Sequence, residues 1–110
     1  MNLEEKERLA RVGDMSLDAM AIRLRAARKV AGLSQKDFAD AVGVKNTVIN
    51  NAEAGSTAPS REVMRYLYRA HRIDFNFMIN GDFAQLPGDV QAALFPALVE
   101  ATNKWDQKPR

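Results

Sequence analysis

Gly32-Leu33-Ser34-Gln35-Lys36-Asp37-Phe38-Ala39-Asp40-Ala41-Val42-Gly43-Val44-Lys45-Asn46-Thr47-Val48-Ile49-Asn50-Asn51-Ala52-Glu53-Ala54-Gly55 is the stretch that decides the fold. Ser34 is a helix N-cap candidate, and Asp37 stands three residues on, where a capping box places its acid. A short helix is expected over Gln35–Val42, with Phe38, Ala39 and Val42 at helical spacing. Gly43 should end it, since glycine supplies a positive φ at no steric cost. Val44 and Lys45 then lead into a second helix over 46–54, stopped by Gly55. Two short helices joined by so tight a glycine turn cross steeply rather than lying antiparallel. Ala39 is small where the two helices must approach, and Val44 and Ile49 are expected to bury against Phe38 and the preceding helix.

Working outward, Ser16 offers a cap with Asp18 in the first turn, opening a helix that should run to about Ala31 and end at Gly32. Downstream, 56–60 reads as a loop, and Ser60 caps a helix over Arg61–His71 carrying Val63, Met64, Leu67 and Ala70 at three-and-four spacing. A short helix over 75–79 should end at Asn80-Gly81. After Pro87-Gly88-Asp89, an amphipathic helix is expected over 90–104, with Val90, Leu94, Ala97, Leu98, Ala101 and Trp105 on one face. Pro96 either kinks it or marks the first turn of a shorter helix starting near Leu94. Period-two alternation is missing, so the expected class is all-α. The chain divides into a charged arm (1–15), a central domain (16–81) and a C-terminal extension (82–110).

The 110 residues suit one domain, and 46% hydrophobic content is enough for a core. No apolar run approaches the roughly 18 residues of a membrane span, and the charged N-terminus does not read as a secretory leader. The absence of cysteine excludes disulfides and thiolate metal sites and fits a cytoplasmic location. The net charge of +2 is unevenly placed: 16–81 holds 10 Lys/Arg against 6 Asp/Glu, and each flank holds 3 against 4. A phosphate-binding surface would have to lie in that central segment.

The ordered series Gly32-Leu33-Ser34-Gln35, Phe38-Ala39, Val42-Gly43-Val44, Ile49, Glu53-Ala54-Gly55, Pro59 and 73–81 closely resembles the phage-repressor-like (XRE-type) helix-turn-helix family, that of lambda repressor and Cro. The resemblance covers about 19–81. It implies a five-helix lambda-repressor-like DNA-binding domain, here with an extra C-terminal helix. It implies double-stranded DNA as partner, a homodimer, and a recognition helix over 46–54.

The outward side of that helix carries Lys45, Asn46, Thr47, Asn50 and Asn51, opposite Val48, Ile49 and Ala52. Asn and Thr are poor helix formers, so stability alone would not select them. Asn is the side chain that pairs bidentately with adenine. The resemblance implies base contacts at Asn46, Thr47 and Asn51, with Asn50 adjacent. It implies phosphate contacts by Gln35 and Lys36 at a helix N-terminus, and by Ser56 and Arg61 around the following loop. The family usually has Ser or Thr where Lys45 stands. Either Lys45 reaches the DNA, or it is solvated and Asn46 takes over the cap. The resemblance also implies a partly buried ion pair between Arg28 and Glu53.

No Ser–His–Asp order, phosphate-binding glycine loop or HExxH occurs, so an enzyme is not expected. His71 is the only histidine, and neither a metal nor a cofactor is expected. Ala19, Ile22, Ala26 and Val30 form a second apolar stripe that something should cover: the C-terminal helix or the N-terminal arm, from the same or a partner subunit. Phe77, Leu94, Leu98 and Trp105 are the expected dimer or partner contacts. Three functions fit: a dimeric repressor reading an inverted repeat, an antitoxin that also binds a toxin through its tail, and an antiactivator that acts by binding protein.

Overall fold

The computed structural model describes residues 1–109 and contains, among them, seven helices and no strand. They are α1 (Leu3–Ala10), α2 (Leu17–Ala31), α3 (Gln35–Val42), α4 (Asn46–Glu53), α5 (Arg61–His71), α6 (Phe75–Asn80) and α7 (Gly88–Asp106). Short polar side chains start five of them. Asn2, Ser16, Ser34, Ser60 and Asp74 each accept a hydrogen bond from a first-turn N–H, satisfying donors a helix cannot satisfy itself. Gly43 closes α3 at φ 90°, the left-handed conformation its turn demands.

The central helix is α2. Its alanines (Ala19, Ala21, Ala26 and Ala27) are buried and let neighbouring helices approach on several sides. It meets α4, α6 and α7, and the α2–α7 contact is the most extensive among the described helices. The apolar stripe of α2 is therefore covered from within the same chain. Phe77 and Leu98 have no exposed surface and Leu94 only 1%. Within the single chain these three side chains serve the core. Trp105 is half-buried and lies against Gly55: a Cβ added to Gly55 would lie 2.9 Å from Trp105 Cη2.

The last helix is longer than its apolar stripe suggested. It begins at Gly88 rather than near residue 90 and passes through Pro96 without ending, so Pro96 does not mark a first turn. Pro96 is exposed.

The charged arm is also structured. Residues 3–10 form α1, which packs on α7 with Ala10 fully buried. Arg23 of α2 fixes it there. Arg23 is 1% exposed, and its guanidinium donates to five backbone carbonyls. Nε reaches Ala10 (2.9 Å), Nη2 reaches Arg11 and Asp14 (2.6 Å each), and Nη1 reaches Met78 (3.4 Å) and Ile79 (3.0 Å). One planar fork thus ties the C-terminal end of α1 and the last turn of α6 to the middle of α2. Burial pushes the Arg23 pKa down to about 10, and nearby Asp14 partly offsets this. Space at the junction is tight. A Cβ on Gly81 would collide with the Ala10 carbonyl oxygen and come within 2.8 Å of Arg23 Nη2.

Candidate nucleic-acid interface

The candidate surface is built on α4. Ile49 and Ala52 are buried on its inner side, against α2 and α3. Asn46, Thr47, Asn50 and Asn51 are all exposed on its outer side. The division follows from helical geometry: positions 49 and 52–53 point inward, so 46–47 and 50–51 point outward.

Arg28 and Glu53 fix the orientation of that face. Arg28 Nε lies 2.6 Å from Glu53 Oε2 and Nη2 lies 2.9 Å from Oε1, a bidentate fork between side chains only 5% and 8% exposed as residues. Arg28 Nη1 also donates to the Leu33 carbonyl at 2.9 Å. Gln35 at the start of α3 donates to Glu53 Oε1 at 3.2 Å. Glu53 thus links α4 to both α2 and α3. Arg25, one turn before Arg28, approaches the same carboxylate at 3.7 Å. The i, i+3 spacing of Arg25 and Arg28 placed them on one face of the helix and was the available signal for Arg25.

The N-terminus of α4 differs from the five capped ones. Lys45 occupies the cap position and no side chain caps the helix, so the cap does not shift to Asn46. An ammonium group and first-turn N–H groups without a side-chain cap therefore share one exposed end, where an anion would be favoured by both. Lys36 is exposed and pairs with Asp40 at 3.3 Å. Ser56 and Arg61 are exposed on either side of the loop into α5. Gln35 is half-buried, its amide committed to Glu53.

Residues 24–71 match the family model described as Helix-turn-helix. That stretch is similar to a helix-turn-helix. The match runs from the second half of α2 through α5, with α3 and α4 as its two central helices. No curated protein and no solved structure matches the chain. Within the matched stretch, α4 follows α3 and carries the exposed amides.

Two cations outside the motif also border α4. Lys108 donates to the Ala54 carbonyl at 3.3 Å and sits over the Trp105 ring, 4.0 Å from its centroid. Lys104, one turn earlier in α7, is exposed. Their four-residue spacing was visible in the sequence, but nothing local said that the end of α7 would lie against α4. Among the described residues, no group of three or more His, Cys, Asp or Glu could hold a metal, and no helix is long and apolar enough to cross a membrane.

Proposed function

We propose that this chain is a sequence-specific DNA-binding regulator, acting as a repressor, that reads an inverted-repeat operator as a homodimer. The observation that carries the reading is the exposed row of Asn46, Thr47, Asn50 and Asn51 on a helix locked by a buried Arg28–Glu53 fork. Amide side chains at an exposed helix N-terminus add nothing to folding, yet they match the major-groove edge of adenine. Asn46, Thr47 and Asn51 take the base contacts, with Asn50 at their edge. Lys45, Lys36, Ser56, Arg61 and the N-terminus of α3 beside Gln35 take phosphates. Two α4 helices about 34 Å apart would enter successive major grooves on one side of the duplex. The apolar face of α7 is used inside the protomer, so a dimer would have to form through other surface.

The test is a gel shift with the DNA upstream of the chain's own reading frame, at two salt concentrations. Binding that weakens steeply with salt and tolerates non-specific competitor supports the reading. Failure to retard any duplex at low salt contradicts it.

A further inference from the structure

A cleft of about 310 Å³ opens where α2, α4 and the end of α7 converge. Its walls are of two kinds. Trp105, with the nearly buried Ile22 and Ala101 at its base, supplies apolar surface, while Arg25, Lys104 and Lys108 supply positive charge. Glu53 also lines it, but its carboxylate already accepts the Arg28 fork and the Gln35 amide. Cations therefore outnumber the one neutralised anion. Arg25 Nε is buried and has no hydrogen-bond partner among the described residues, and Lys104 has no acidic partner among them. A buried donor without an acceptor is costly and rare in folded proteins, and it marks a place where an acceptor would be welcomed.

We propose that this cleft binds a small organic carboxylate, its anionic end held by Arg25 and Lys104 and its apolar body lying against Trp105 over the floor formed by Ile22 and Ala101. The volume is at the small end of the range of ligand sites. The apolar wall separates this site from a contact to a DNA phosphate. A backbone phosphate needs exposed cations on a convex rim and gains nothing from Ile22 and Ala101, which the chain keeps at the cleft floor. The site does not depend on the chain binding DNA, so it can fail or stand separately from the regulator reading.

The chain carries a single tryptophan, and it lines the cleft. Trp105 fluorescence is thus a built-in reporter. Cyclohexanecarboxylate, which does not absorb where tryptophan is excited, is titrated into the full-length chain, with the neutral cyclohexanecarboxamide and inorganic phosphate in parallel. The expected result is a saturable change with the carboxylate and none with the carboxamide. Phosphate, lacking an apolar body, should bind more weakly. Arg25→Gln should weaken carboxylate binding by about tenfold or more through loss of a charge-assisted hydrogen bond. Lys104→Gln, at an exposed position that leaves the fold intact, should weaken it severalfold. No saturable response, an equal response to the carboxamide, or undiminished binding by both variants would overturn the proposal. So would loss of DNA affinity in both variants with carboxylate binding unchanged, because the cations would then serve a duplex.

Discussion

Arg23 Nη2 donates to the backbone carbonyl of Asp14 at 2.6 Å, joining the middle of α2 to the segment that leads into it. The same nitrogen holds the Arg11 carbonyl, where the chain leaves α1 in a left-handed conformation at φ 53°. A non-glycine residue there carries strain, and the guanidinium stabilises the turn that imposes it. Replacing Arg23 by leucine would leave several of its five carbonyl acceptors buried without a donor. Urea unfolding should show a loss of about 3 kcal/mol or more. A loss below about 1 kcal/mol would mean that water satisfies those carbonyls.

The Arg28–Glu53 fork makes a different prediction. Either Arg28→Met or Glu53→Gln should cost about 3–5 kcal/mol, because each leaves a buried partner uncompensated. The double variant should cost clearly less than the sum, since it leaves no buried charge without its counter-charge. A double-mutant cycle with additive losses would show that the pair is not coupled.

Two glycines separate a side-chain neighbour from a backbone one. Gly55→Ala, at φ 80°, meets the edge of Trp105; Gly81→Ala, at φ 79°, meets the Ala10 carbonyl and Arg23. Both pay for the left-handed conformation, by roughly 1 kcal/mol. Trp105→Ala should relieve part of the Gly55→Ala penalty. Gly81→Ala should cost more, since a backbone carbonyl cannot turn aside. Thermal melts of the three single variants and the Gly55/Trp105 double variant test this ordering.

Asp14 sets an acid-side prediction. Its carboxylate accepts the Ser16 N–H at 2.9 Å, and hydrogen bonding from the Ser16 backbone and side chain holds its pKa below the ordinary value of 3.8. A carboxyl whose folded pKa is depressed adds stability above its unfolded pKa and loses it as pH falls through the folded one. Asp14→Asn should therefore melt below the parent at pH 7, and the gap should close below pH 3.8. A gap independent of pH would assign the effect to something other than this charge.

The central helices were legible because their punctuation is local. Ser34, Gly43, Ser60 and Gly81 bound elements within three or four residues of themselves, and α3 and α5 fall where those signals put them. The face of α4 followed from the positions of Ile49 and Ala52. Arg23 was not legible, because its partners are main-chain carbonyls up to 56 residues away and every residue carries one. The tail was only half legible. The spacing of Leu94 and Leu98 showed that an apolar face needed covering, but periodicity does not say whether the cover belongs to the same chain. Within this chain α2 supplies it, and Leu94, Leu98 and Phe77 are buried there.

Selection from a random duplex pool with the wild-type chain and with Asn51→Ala tests most directly whether α4 is a reading surface. The wild type should enrich an inverted repeat. Asn51→Ala, equally stable to heat because the side chain is exposed, should lose preference at one symmetric pair of positions while its other preferences persist. Identical enriched sequences from both proteins, or no enrichment by the wild type, would contradict it.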